Sequence, residues 1–461
     1  MFVGREEQLK RIRKITDRPG MGAVLIYGRR RIGKSELIRQ VLRSCRCKNI
    51  YYECRQVTEE SNTAALCELV SEQFDLPRLG YAKIEEILEY LFRLSVSEKL
   101  ILVLDEYPYL RENVKGMDSI LQVLIDRYRE ASEIKLVIQG SYVGVMKSLV
   151  AHASPLYGRM DLVLDLKQMD YYESALFYPS FSDEDKVRLY AVFGGVPYYN
   201  RLIDDSLSVR ENIINLIASP GSRLENEVSM YLNTEISKIV NANEVFEALS
   251  KGYSRYKDIL SQSHVSSGPT LIDVLNRLME MELVTKTAPI NDPANRKKMG
   301  YYISDNLSLF YYRYIFRYVS QMTIMDPEMF YDRYIRDDFE EKYVPGQFED
   351  ICRQYLIRRN RRGEMLPVFF NIGKYYYDDP EGGRNGEFDI VTEDENGYVF
   401  YGVKFRRDPV SDRIINKEIE QVKQTGLDCY KYVFISRSGF RGSRPEKTEF
   451  IRLQELYRRH D

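Results

Sequence analysis

Apolar and polar positions alternate in blocks along the first third of the chain. Unbroken apolar runs at 23–27 and 100–104, and a run at 134–139 interrupted only by Lys135 before it ends in Gln139, read as buried strands, and runs at 50–53 and 162–166 extend the set. Between them, 35–43, 63–74 and 84–94 repeat apolar residues every three or four positions, the spacing of a helix with one face on a sheet. About five strands alternating with helices predict a doubly wound, mostly parallel α/β domain over residues 1–168.

Beyond residue 168 the pattern turns helical, and 171–200 and 209–239 read as a lid and connector filling 169–240. In 241–306, helical stretches at 244–251, 256–261 and 270–281 precede strands at 282–286 and 301–303, the order of a winged helix. The linker 307–340 is helical. Its aromatic run from Phe310 to Tyr318 has spacing that reads as core more simply than as a platform for unpaired bases. In 341–461, a helix through Phe348 and Glu349 to Arg358 leads to strands at 387–391 and 398–405, a helix at 414–424 and a strand at 430–436. That is an αβββαβ-like order.

Chemistry enters where the first strand ends. Gly28, Arg29, Arg30, Arg31, Ile32, Gly33, Lys34 and Ser35 fit the phosphate-loop pattern GxxxxGK[ST], with Glu36 just inside the helix that follows. Such a loop turns backbone N–H groups toward a phosphate at the positive end of the helix dipole; Lys34 reaches the β and γ phosphates and Ser35 ligates Mg2+. The run at 100–104 ends in Asp105 and Glu106, at the edge where open α/β sheets bind ligands. Asp105 is placed to hold Mg2+ and Glu106 to orient and deprotonate the attacking water. After the strand at 134–138, Ser141 offers a hydroxyl that either senses the γ phosphate or caps a helix.

Composition narrows the class. No stretch approaches a membrane span, and residues 1–7 have no apolar signal core, so a cytoplasmic protein is expected. With 67 basic against 69 acidic residues, any nucleic-acid contact has to come from local patches. Six cysteines and three histidines suit a reducing compartment; Cys45, Cys47, Cys54 and Cys67 contain no CxxC pair and read as thiols rather than zinc ligands.

Residues 2–6, the phosphate loop, the Leu-Asp-Glu strand end, Gly140 with Ser141, the segment 155–159 and Gly194 to Tyr198 occur in the order seen in archaeal-type P-loop ATPases, relatives of AAA+ and STAND ATPases. The resemblance covers nearly the whole chain. It implies ATP as the nucleotide, with Val3, Gly4 and Arg5 on the adenine side and Gly195 and Pro197 bringing a helical lid to it. It also implies a charge-stabilising or nucleotide-sensing role for Arg159, in its own chain or in a neighbour's site within an oligomer.

The tail resembles a PD-(D/E)xK nuclease domain, in which carboxylates hold a metal and a lysine positions water. Glu349, Asp389 and Lys404 match, and a second Mg2+ or Mn2+ is what such a site takes. One position departs from the pattern: Gly402 stands two residues before the lysine, where an acid is expected on the same strand face. Glu387 or Glu349 can substitute; otherwise the tail only holds nucleic acid or a partner. The basic run Arg358 to Arg362 favours DNA, while the near-neutral charge and the acidic third helix of 241–306 favour protein partners. The sequence thus predicts an ATP-dependent switch acting on DNA through a nuclease-like tail, or a signalling scaffold with an inactive tail.

Overall fold

The computed structural model describes residues 2–228, 230, 240–379 and 384–458. It divides into two compact units, residues 1–168 with 196–198, and residues 169–195 with 199–461.

In the first unit five strands, β1 (Gly22–Tyr27), β2 (Lys48–Glu53), β3 (Leu100–Asp105), β4 (Lys135–Gly140) and β5 (Leu162–Asp165), form one parallel sheet in the order β2-β3-β4-β1-β5. The three apolar runs become its central strands, buried at every position, because helices cover both faces. One face packs Leu25, Leu102, Leu104, Leu136 and Ile138 against helices Glu59–Phe74 and Ile84–Leu94. The other packs Val24, Ile26, Val103 and Val137 against α1 (Glu6–Thr16) and α2 (Lys34–Ser44). Helix Glu59–Phe74 starts earlier than its apolar spacing suggests, because Thr58 caps it by accepting from the Ser61 N–H. A parallel sheet collects the segments that follow its strands at one edge, so residues 28–34, 105–106 and 141 converge there.

The expected helix at 171–200 is three pieces: Tyr171–Ala175 and Asp183–Phe193 in the second unit, capped by Asp170 and Ser182, and Pro197–Asn200, whose first two residues are counted with the first unit. Of the expected helix at 209–239, Val209–Leu216 is observed, and positions 229 and 231–239 lie outside the described residues. Helices Ala242–Ser250, Tyr256–Gln262 and Gly268–Glu280 then precede an antiparallel pair, β6 (Val284–Thr287) and β7 (Gly300–Ile303). The aromatic run is core: Phe310, Tyr311, Tyr312 and Tyr314 are buried, and Tyr312 stacks on Phe246 at 4.9 Å between ring centres. A base-stacking role for these rings is therefore ruled out.

Helix Val344–Arg361 leads into a second sheet of β8 (Asn371–Asp379), β9 (Arg384–Asp394), β10 (Gly397–Lys404), β12 (Cys429–Ser436) and β14 (Thr448–Arg452) in the order β14-β12-β10-β9-β8. A short parallel pair, β11 (Val410–Ser411) and β13 (Phe440–Arg441), flanks helix Asp412–Gln424. Strand β8 lies at the sheet edge, and the segment between β6 and β7 closes over it. Ile290 N–H donates to the Lys374 carbonyl at 2.8 Å, Asn291 Nδ2 donates to the Tyr376 carbonyl at 2.7 Å, and the Tyr376 N–H donates to Asn291 Oδ1 at 3.0 Å. An open strand edge is a template for unwanted pairing, and this segment covers it.

One expectation is corrected. Cys45 and Cys47 form a disulfide across the turn from α2 to β2, while Cys54, Cys67, Cys352 and Cys429 are buried thiols. Between β6 and β7, Lys298 pairs with Asp292 at 2.9 Å and lies over the Tyr376 ring at 4.1 Å. Among the described residues no helix is long and apolar enough to cross a membrane.

Candidate functional site

At the converging edge of the first sheet, the loop from Gly28 to Lys34 wraps around its own lysine. A Cβ at Gly28 would lie 2.4 Å from the Leu166 carbonyl oxygen, so no side chain fits. Gly33 caps α2 with φ of 92°, a backbone that other residues adopt only under strain, and it lies beside Pro197. The Lys34 ammonium, buried at 6% exposure, donates to the Gly28 and Arg29 carbonyls at 2.8 and 3.1 Å and to Ser141 Oγ at 3.4 Å.

Ser35 Oγ donates to Asp105 Oδ2 at 3.0 Å, and the Glu106 N–H donates to Asp105 Oδ1 at 2.9 Å. Glu106 itself sits in the left-handed region with φ of 50°, a costly conformation for a side-chain-bearing residue. That turn sends its carboxylate onto Ser141, where it accepts from the N–H at 3.0 Å and from the hydroxyl. The Ser141 hydroxyl thus touches both Lys34 and Glu106, the contacts a phosphate-sensing group needs.

Around this centre the other candidates take distinct places. Arg5, buried and with φ of 63°, donates to the Ile32 carbonyl at 3.4 Å and the Lys167 carbonyl at 2.6 Å, which ties the Val3-Gly4-Arg5 turn to the phosphate loop. Arg29 and Ile32 are buried; Arg30 donates to the hydroxyls of Tyr109 and Tyr142 at 3.4 and 3.5 Å. Arg31 lies 4.3 Å from the centre of the Tyr198 ring, and Glu36 pairs with Arg43 at 3.5 Å. In the second unit, the Gly195 carbonyl accepts from the Met169 N–H at 2.8 Å.

Arg159 lies apart from these residues. It forms a two-point pair with Asp126, at 2.8 and 2.6 Å, whose hydrogen bonds hold the Asp126 carboxyl below its ordinary pKa. The backbone just after it bonds to Ala23 near the start of β1, whereas the phosphate loop follows the end of β1. Arg159 therefore stands at the opposite edge of the sheet and does not reach the phosphate site of its own chain.

Two residues that the sequence reading passed over join the centre. Tyr51 of β2 donates its phenol to Asp105 Oδ2, and Gln139 of β4 donates to that phenol oxygen at 2.9 Å. Burial, and the negative charge of Asp105, push the Tyr51 phenol well above its ordinary pKa.

Ser35 and Asp105 fit a magnesium ion brought by a nucleotide. Mg2+ binds through one or two hard protein oxygens, takes the rest of its shell from phosphate and water, and needs no all-protein cage.

The C-terminal candidates also gather, with charges already matched. Glu387 and Asp389 share a face of β9. Between them lies the Lys374 ammonium, 2.6 Å from Glu387 and 3.3 Å from Asp389, and Arg255 holds the other Glu387 oxygen at 2.9 Å. Lys404 pairs with Glu418 of helix Asp412–Gln424 at 2.6 Å. A Cβ at Gly402 would lie 2.6 Å from that Glu418 carboxylate, so the missing acid on β10 makes room for one arriving from a helix. Neither Lys374 nor Glu418 carries a motif signal in the sequence.

The expected second Mg2+ or Mn2+ would have to displace the Lys374 ammonium from between these two carboxylates. Among the described residues no group of three or more His, Cys, Asp or Glu side chains is placed to hold a metal ion. The expected DNA-facing basic run is also largely engaged. Arg358 pairs with Asp170 at 2.9 Å, and Arg359 and Arg362 pair with Glu364 at 3.4 and 3.7 Å.

Glu349 on helix Val344–Arg361 is pushed up to about 7 by burial and by Asp389, against the opposing pull of Lys374, Lys404 and Arg353. In that window the folded chain keeps a proton that the unfolded chain releases. The contribution to stability is complete below 4.5 and is lost as pH rises through about 7. Urea unfolding of the second unit should therefore weaken across this range in the wild type and much less in Glu349→Gln; parallel pH profiles would contradict the assignment.

Comparison with known proteins follows this geometry. Residues 2–202 match the model of a family described as an ATPase domain predominantly from Archaea, and residues 311–422 match one described as Archaea bacterial proteins of unknown function. An uncharacterized protein of Methanocaldococcus jannaschii is 28% identical over 439 residues, 94% of each chain. The Walker-type ATPase of Pyrococcus abyssi shares the fold with a TM-score of 0.51 at 19% identity, over 68% of this chain and 96% of that one. The ORC2 protein of Aeropyrum pernix aligns at 14% identity and a TM-score of 0.48, over 69% and 93% of the two chains. Residues 2–202 are thus a P-loop ATPase domain similar to those found predominantly in Archaea, and residues 311–422 are similar to the second family.

Proposed function

We propose that this ATPase works as a switch whose nucleotide state is passed to a nuclease-like, DNA-associated C-terminal domain. The observation that carries the reading is the Lys34, Ser141 and Glu106 cluster, where one hydroxyl joins the phosphate-binding lysine to the candidate base. Loss of the γ phosphate changes what Lys34 and Ser141 bind, and through Ser141 it changes what holds Glu106. Lys34 takes the β and γ phosphates and the loop N–H groups of 28–36 hold the rest. Ser35 and Asp105 ligate the Mg2+ that neutralises phosphate charge, and Glu106 orients and deprotonates water. By the family resemblance, Val3, Gly4 and Arg5 take the adenine side and Gly195 and Pro197 let a helical lid touch the nucleotide, and Arg159, facing away from its own site, serves a neighbouring subunit if the chain assembles.

For the tail, the order helix, three strands, helix, strand and the grouping of Glu349, Glu387, Asp389 and Lys404 support a nuclease-like domain after a winged helix in 241–306. A second reading, a scaffold with an inactive tail that binds protein, is favoured by Lys374 lying between the two β9 carboxylates. Supercoiled plasmid and single-stranded DNA incubated with Mg2+ or Mn2+ separate the two. The first reading expects binding that weakens steeply with salt, and any cleavage should fall at least about 100-fold in Lys404→Ala. Neither cleavage nor salt-dependent binding leaves the second reading.

A further inference from the structure

Gln139 is a costly residue where it stands. It follows Leu136, Val137 and Ile138 on a central strand, is fully buried, and its amide oxygen has no hydrogen-bond partner among the described residues. A buried amide with half its capacity unmet is less favourable than an apolar side chain of similar size. Its Nε2, however, donates to the Tyr51 hydroxyl at 2.9 Å. Strand β3 lies between β2 and β4, so the two side chains meet across it from either side, at the end that carries Asp105.

Tyr51 has one direction left for its own proton, because its oxygen accepts from Gln139. It donates to Asp105 Oδ2, the same oxygen that accepts from Ser35. Its ring packs against the core on the α2 side of the sheet, and the Arg39 guanidinium lies 5.4 Å from the ring centre. Asp105 is thereby oriented from three sides, by β2, by α2 and by its own following peptide.

We propose that Tyr51, aimed by Gln139, is a positioning residue for magnesium ligation in the ATPase site. Its phenol fixes the Asp105 carboxylate, and Asp105 in turn orients the Ser35 hydroxyl toward the metal side of the phosphate loop. Partners of this kind, outside the direct ligands, commonly change metal affinity by about 10- to 100-fold when removed. The inference rests on the reading of Ser35 and Asp105 as the magnesium ligands.

The test uses the full chain and a fluorescent ATP analogue, titrated in EDTA and then with increasing Mg2+. In Tyr51→Phe, affinity in EDTA should stay within about twofold of wild type, while the Mg2+ concentration that half-saturates the metal-dependent change rises by about tenfold. ATP turnover should recover at saturating Mg2+. Gln139→Leu, which fills its site with an apolar group, should shift the Mg2+ dependence the same way and less. Asp105→Asn is the reference: no shift in that variant overturns the ligand reading itself. A shift in Asp105→Asn with none in Tyr51→Phe or Gln139→Leu overturns only the role given to Tyr51. Equal loss of binding in EDTA and in Mg2+ also overturns it, because that marks a collapsed site.

Discussion

Lys34→Ala is expected to lower ATP hydrolysis by at least about 100-fold and to weaken nucleotide binding with it. The lysine is a buried ammonium just after β1; it donates to the Gly28 and Arg29 carbonyls of the loop that would hold the phosphates, and to Ser141 after β4. Removing it deletes charge stabilisation at the transferred phosphate. It also takes a donor away from the Gly28 and Arg29 carbonyls, so the variant needs a thermal melt beside its phosphate-release and nucleotide-binding assays. A folded Lys34→Ala protein that hydrolyses ATP within threefold or so of wild type would remove this site from the chemistry.

Glu106→Gln should separate binding from hydrolysis. Glutamine keeps an oxygen for the Ser141 N–H that Glu106 now accepts at 3.0 Å, but it cannot take a proton from water. Turnover should fall by about 100- to 10,000-fold, the range for losing a general base, while ATP affinity holds near the wild-type value. Such a protein also tests the switch. Limited proteolysis of Glu106→Gln with ATP should protect peptide bonds of the second unit that are cut without nucleotide. Identical digests with and without ATP would count against coupling, and unchanged turnover would count against Glu106 as the base.

The ATPase centre was largely readable from the sequence because its parts follow one another in register with the strands. Apolar runs buried on both faces announce β1, β3 and β4, and in a parallel sheet the residue after each run belongs to one edge. Gly28 to Ser35, Asp105, Glu106 and Ser141 could be grouped on that logic alone. Tyr51 could not. A tyrosine in a strand is ordinary, and its direction depends on meeting Gln139 across a third strand.

The C-terminal cluster was half readable. Glu387, Asp389 and Lys404 sit on strands whose alternation is visible. Glu418 comes from a helix and fills the space opened by Gly402, and Lys374 lies on β8, whose sequence NIGKYYYDD lacks the alternation that marks a strand. Charge counting misled in the same region. The run at Arg358 to Arg362 looks like free cations in sequence, and the fold pairs Arg358 with Asp170, far along the chain, and Arg359 and Arg362 with the nearby Glu364.

The segment laid along β8 bears on how this chain can be inherited. Residues 241–306 and 341–461 read as separate modules, and modules are commonly exchanged between genes. Here the first supplies, through Ile290 and Asn291, the partners for backbone groups on the outer edge of the second. A recombination that brought in either segment alone would leave β8 bare and prone to pair with another chain. The two are expected to travel together, so that what recombines in this lineage is the pair.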